Sequence, residues 1–247
     1  MPEHYGARFF GEREAAVYDE QLGSRSDPAV VGATVDVLAS LVGDGRALEF
    51  GIGTGRIALP LAERGVRVDG IDASQAMVDR LRAKPGGDAI DVAIGDFSTT
   101  RVDGEFTLVY LVFNTIFNLV TQEEQVAVFQ NAARHLVPGG CFVVENTVPE
   151  LQRLPPGQNI LPIGVGAYGL SFDVYDVVTQ RLTSHHFHLG KTGTESYPVE
   201  GRYVWPSELD LMGRLAGLHL RERSAGWKRE PFTSLSRSHV SVYENTG

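Results

Sequence analysis

The sequence predicts an α/β fold in which a doubly wound, seven-stranded, largely parallel sheet is covered by helices on both faces. Three observations carry that expectation. From Arg46 to Asn146, short apolar runs alternate with amphipathic ones. A glycine-rich segment, Gly51-Ile52-Gly53-Thr54-Gly55, closes the first apolar run and opens the first amphipathic one. Between Pro149 and Val204 the rhythm changes to period-two alternation after a stretch rich in proline and glycine.

Asp27-Pro28 reads as the N-cap and first residue of a helix carrying Val31, Val35, Leu38 and Leu41. Segments 47–50, 56–63, 66–71 and 74–83 then spell strand, helix, strand, helix. Strands near 90–94 and over 108–113 follow. A helix over 121–136 opens on a capping box of Thr121 and Glu124, and Pro138-Gly139-Gly140 turns the chain into a fifth strand, 141–145. Wholly apolar strands between helices need cover on both faces. In the region 149–204, segments 170–175 and 181–189 predict antiparallel strands, with a further one over 202–205. Ser207 with Asp210 predicts the cap of a helix running through Leu215. Strands 218–224 and 240–243 complete the sheet.

One α/β domain with an insertion fills the 247 residues. Within it, 1–43 is expected to form a helical cap and 149–204 an antiparallel roof. A net charge of -9 opposes a phosphate backbone or an anionic lipid surface, so neither nucleic acid nor membrane is an expected partner. Cys141 lies in an apolar run and reads as a small buried hydrophobe. The opening Met1-Pro2-Glu3-His4 has no basic segment leading into an apolar core, and no stretch approaches the ~18 apolar residues of a membrane span. A cytoplasmic location is expected, and a homodimer is one assembly the sequence allows.

Glycines after the first strand let a ligand approach the backbone closely, and the following helix presents free N–H groups. A dinucleotide loop spaces its glycines G-x-G-x-x-G. Here the pattern is G-x-G-x-G with Glu49 two residues before it. This resembles motif I of the class I S-adenosylmethionine-dependent methyltransferases, and the likeness extends over about 18–146 and the last two strands. Its companions are Asp72 at the end of the second strand and Gly95-Asp96-Phe97 at the end of the third.

The resemblance implies a Rossmann-like sheet whose last strand is antiparallel, with S-adenosyl-L-methionine as cofactor. Gly51, Gly53 and Gly55 would form the loop, and Asp72 would accept both ribose hydroxyls. Asp96 would meet the adenine amino group, with Phe97 and Met77 against the ring. Glu49 would help hold the methionine ammonium. Tyr18-Asp19 resembles the Tyr-Asp pair of small-molecule N- and O-methyltransferases, whose N-terminal arm closes over the cofactor; Tyr5, Phe9, Phe10 and Tyr18 could equally dock a helix. The chain departs from many relatives in having Phe106-Thr107 where they carry Phe-Asp.

The implied reaction is methylation of a hydroxyl or amine on a small, natural-product-like acceptor, which requires alignment with the methyl group and removal of a proton. The ends of strands four and five supply Asn114, counted with the cofactor contacts, and Glu145, counted as catalytic; turn chemistry is the alternative for both. The chain lacks the Asn/Asp-Pro-Pro-aromatic loop of relatives that methylate adenine or protein amides. In Ser184-His185-His186-Phe187-His188, alternation places His186 and His188 on one face. Either could be the general base, a metal ligand lacking an evident third partner, or plain surface. Two rival functions remain at this stage, a nicotinamide oxidoreductase and an S-adenosylmethionine-binding protein that transfers no methyl group.

Overall fold

The computed structural model describes residues 11–21, 27–166, 169–190 and 193–247. Tyr5, Phe9 and Phe10 lie outside them. The described chain begins with helices α1 (Glu12–Gln21) and α2 (Pro28–Val42), the second capped by the Asp27 carboxylate on the Ala29 N–H with proline in the first turn.

Strands β1 (Arg46–Phe50), β2 (Arg67–Asp72), β3 (Asp91–Ile94), β4 (Phe106–Leu111) and β5 (Leu136–Thr147) alternate with helices α3 (Ala58–Glu63), α4 (Gln75–Arg82) and α5 (Gln122–His135). After the insertion come α6 (Pro206–Leu215), β10 (Leu218–Ser224) and β11 (Ser238–Asn245). The seven strands lie in the order β10-β11-β5-β4-β1-β2-β3, with β11 antiparallel to both neighbours. The carboxyl ends of β1, β2, β4 and β5 therefore share one edge, where ligands of open α/β sheets bind.

Continuous apolar runs are required because successive residues serve opposite cores. Ala47, Tyr110 and Val143 pack with Val35 and Leu38 of α2. Leu48, Val109 and Phe142 pack with Phe129 of α5 and Leu209 of α6. The capping box of Thr121 and Glu124 is present. The expected Ser207 cap is not: α6 begins at Pro206, two residues before a Ser207 cap would start it, with no side-chain cap. Proline has preset helical φ and no N–H to satisfy, so it starts the helix by itself.

The insertion is a separate antiparallel sheet of four strands, β6 (Ile160–Gly166), β7 (Gly169–Asp176), β8 (Arg181–Gly190) and β9 (Gly193–Arg202). Two differences from expectation stand out. The proline- and glycine-rich stretch itself supplies β6, an edge strand whose register shifts between Pro162 and Gly164, the placement sheets allow proline. Of the strand expected over 202–205 only Arg202 is in a strand, as the last residue of β9; residues 203–205 lie outside it, and Tyr203 joins Leu161 and Tyr175 in a small core.

Two contacts hold the inserted sheet, the expected roof, against the rest of the chain. The Arg202 guanidinium, 5% exposed, donates to Gln125 Oε1 at 2.5 Å and Glu208 Oε1 at 2.7 Å. Gln125 Nε2 in turn donates to the carbonyls of Ile116 and Arg202. Gly201 lies so near Phe117 that a Cβ there would fall 2.2 Å from its ring, so this face of the roof looks onto the turn that follows β4.

Candidate active site

The loop after β1 has Gly51, Gly53 and Gly55 at φ of 69°, 55° and 80°, left-handed values that favour glycine. A Cβ on Gly53 would meet only Met77 Cε, at 3.4 Å, whereas one on Gly55 would press on Leu59 and Leu81. Gly53 thus leaves an open cradle, Gly51 allows the close approach of Thr115, whose Cγ2 would lie 3.0 Å from a Cβ there, and Gly55 allows close helix packing. The loop N–H groups are already used: Gly51 and Ile52 donate to the Ile71 carbonyl, Gly55 to that of Ile52, and Gly53 to Asp72 Oδ2 at 2.7 Å.

Asp72 ends β2 and is held at both oxygens, since Ser74 N–H also donates to Oδ1 at 2.8 Å. Burial pushes its carboxyl upward against the pull of those N–H groups. The carboxylate is thereby fixed in place, with lone pairs left over for hydroxyl donors. Asp96 follows β3 and accepts from Ser98 N–H at 2.8 Å. Phe97 stacks on Phe50 with centroids 6.0 Å apart, and Asn131 donates to its carbonyl. Met77 is buried in the first turn of α4.

Glu49 lies beneath the loop, 4% exposed. Burial raises its carboxyl to about 8, although it accepts from Tyr110 Oη at 2.9 Å and lies near Arg56. The sequence reading did not single out Tyr110, whose hydroxyl is hidden inside an apolar strand. Also missed were Thr54 and Lys84. Thr54 Oγ1 donates to Asp19 Oδ1 at 2.6 Å, and Lys84 Nζ reaches Asp19 Oδ2 at 2.7 Å and the Thr54 carbonyl at 2.8 Å. These bonds fasten α1, which carries Tyr18 half-buried, to the glycine loop.

The acids, the open glycine cradle and the apolar rings suit a nucleoside with two hydroxyls and a cationic tail. S-adenosyl-L-methionine is such a molecule, and its expected contacts Glu49, Gly51, Gly53, Asp72, Met77, Asp96 and Phe97 all gather at the ends of β1 to β3.

At the ends of β4 and β5, Asn114 adopts φ 60° and its Oδ1 accepts from Thr147 N–H at 3.1 Å and Thr147 Oγ1 at 2.9 Å. Glu145 Oε2 accepts from Phe113 N–H at 2.7 Å. Both side chains thus brace the two strand ends against each other, the turn role weighed as the alternative. The Arg56 guanidinium sits 4.1 Å over the Phe113 ring.

On the roof, Ser184, His186 and Asp173 share the face that bears Gly201, because Asp173 opposes Ser184 and Ser184 opposes Val199. His186 Nε2 lies 3.1 Å from Ser184 Oγ. His188 continues that face in the backbone of β8, and its side chain lies outside the described residues. His185 takes the outer face, stacked on Phe172 at 5.0 Å. Among the described residues, no group of three or more His, Cys, Asp or Glu side chains could hold a metal ion, and no helix is long and apolar enough to cross a membrane.

Comparison with known proteins gives the following likenesses. A methyltransferase-domain family matches residues 47–140. A cypemycin N-terminal methyltransferase from a Streptomyces species is 32% identical over 81% of this chain and 84% of its own length. The solved structure of the CcbJ methyltransferase from Streptomyces caelestis superposes with a TM-score of 0.85 at 36% identity, covering 96% of this chain and 98% of that one. The S-adenosylmethionine-bound aminopentose methyltransferase CalS10 from Micromonospora echinaspora shares the fold, with a TM-score of 0.67 at 22% identity over 92% and 96% of the two chains.

Proposed function

This chain belongs to the S-adenosylmethionine-dependent methyltransferases, and we propose that within that family it carries the methyl group to an amine of a small natural-product acceptor. One observation carries the choice of nitrogen: the 32% identical relative is an N-terminal methyltransferase, and the likeness spans 81% of this chain. That span exceeds the cofactor-binding segment 47–140 and so must draw on residues outside it.

The cofactor supplies, when bound, a methyl group activated by the sulfonium. The chain's own residues have the remaining tasks. Gly53 leaves the cradle open, Asp72 orients the ribose, and α1 covers the loop through Asp19 and Thr54. Segment 149–204 acts as a roof over the acceptor, a role supported by the approach of Gly201 to Phe117. His186, His188 or Glu145 takes the acceptor's proton, and the water excluded by the roof sharpens that transfer.

The test is incubation of the enzyme with S-adenosylmethionine and paired amine and hydroxyl acceptors, following S-adenosylhomocysteine release and product mass. One methyl added on nitrogen is expected. Methylation of hydroxyl acceptors alone overturns the choice of nitrogen, and cofactor binding without turnover on any acceptor overturns the assignment as a working transferase.

A further inference from the structure

We propose that Asp173, beside Ser184 and His186 on the inward face of the roof, receives the protonated amine of the acceptor. The proposal rests on the reading that the acceptor is an amine, and it names the residue that selects for it.

Asp173 is 8% exposed, and its Oδ1 is buried with no hydrogen-bond partner. Its Oδ2 lies 3.5 Å from Tyr175 Oη, and the Ser184 hydroxyl is near enough to pull the carboxyl down. Among the described residues, no lysine or arginine forms an ion pair with it. The titratable groups nearest in effect are His186 and Glu150, and Glu150 is already paired with Arg153 and Arg237.

A buried carboxylate is costly unless its lone pairs and charge are matched. Burial pushes the Asp173 carboxyl up, and the pull of Ser184 and His186 does not offset it. A purely structural position would be filled more cheaply by an apolar residue such as the neighbouring Leu161. Orientation completes the argument. Tyr175 opposes Leu182 and Leu182 opposes Gly201, so Asp173, Tyr175 and Gly201 share one face of the sheet. Gly201 touches Phe117 in the turn after β4, so that face looks onto the strand end where an acceptor sits. An ammonium N–H donating to Oδ1 would satisfy the orphaned oxygen and supply the missing charge. A hydroxyl acceptor could do only the first.

The experiment uses the full chain saturated with S-adenosylhomocysteine. n-Butylammonium and its neutral counterpart n-butanol are titrated while the ring C–H resonances of His186, assigned with His186→Asn, are followed by NMR. Asp173→Asn keeps size but removes the charge; Asp173→Glu keeps the charge. Unchanged S-adenosylhomocysteine affinity verifies that each variant is folded.

The expected result is a saturable response to n-butylammonium in the wild type, at least about tenfold weaker in Asp173→Asn and kept in Asp173→Glu, with no comparable response to n-butanol. A wild type that gives no saturable ammonium response overturns the proposal. So does an undiminished response in Asp173→Asn, and if amines are still methylated the amine reading survives that loss. Conversely, loss of the response in Asp173→Asn within an enzyme that methylates only hydroxyls overturns the amine reading and leaves an ammonium site at Asp173.

Discussion

The Thr54 hydroxyl donates to Asp19 at 2.6 Å, joining helix α1 to the cofactor loop across a pair of residues far apart in sequence. Lys84 completes the clip by reaching both the Asp19 carboxylate and the Thr54 carbonyl. Burial pushes the Asp19 carboxyl up, and the bonds from Lys84 and Thr54 outweigh it to hold the group below its usual range. Asp19→Ala should therefore weaken S-adenosylhomocysteine binding by about 1 kcal/mol, roughly fivefold, with little change in thermal stability. Calorimetry at two salt concentrations checks it. The Lys84–Asp19 pair is partly exposed, so the difference from wild type should shrink as salt is added.

Gly53→Ala separates a loop that touches the cofactor from a loop that merely turns. The added Cβ has room within the protein, at 3.4 Å from Met77 Cε, so the main internal cost is the left-handed φ of 55°. That strain is about 1 kcal/mol, worth about 2–4 °C in Tm for a chain of this size. Cofactor affinity should fall at least about tenfold, because the methyl group projects into the cradle. Asp72→Ala should lower both quantities together, since it also strips the acceptor from Gly53 and Ser74. Unchanged affinity in Gly53→Ala would place the cofactor elsewhere.

Glu49 gives the unliganded protein a pH dependence of definite sign. Its folded value, about 8, lies above the ordinary carboxylate value of 4.5, so the folded state holds a proton that the unfolded state releases. Its contribution to stability is complete below about pH 4.5 and is lost as pH rises to about 8, with a slope of at most about 1.4 kcal/mol per pH unit. Glu49→Gln keeps an acceptor for Tyr110 and cannot ionise. Urea unfolding at intervals across this window should show a flatter profile for the variant; parallel profiles would mean that Glu49 stays charged beneath the loop.

His186→Asn tests the proton acceptor. Loss of a general base typically lowers turnover by ~10²–10⁴-fold, while cofactor affinity should not move, because none of the proposed cofactor contacts lies on β8. The paired measurement is kcat with the preferred acceptor against S-adenosylhomocysteine affinity by calorimetry. Full turnover in His186→Asn, in His188→Asn and in the double variant would pass the role to Glu145 or solvent.

The sequence by itself determined the sheet and which residues gather at its strand ends. Both are encoded locally: apolar runs name the strands, and Gly51, Gly53, Asp72 and Asp96 stand next to strand ends in chain order, where any doubly wound sheet brings them to one edge. The helix ends that rest on a neighbouring side chain were equally legible, as Asp27 and Thr121 show. Ser207 misled because Pro206 had already started its helix.

Only the tertiary structure decided the rest, because it depends on pairing between distant residues. Nothing in the residues around Thr54, Asp19 or Lys84 announces that they meet. Asp173 sat unnoticed in an alternating strand, and it became a candidate only when register set it opposite Ser184 and burial left Oδ1 without a partner. Asn114 was read as a cofactor contact and Glu145 as catalytic, with turn chemistry the alternative, and the fold shows each side chain bracing a strand end. Periodicity tells which face a side chain takes; what that face meets is fixed by register and packing, which no local pattern contains.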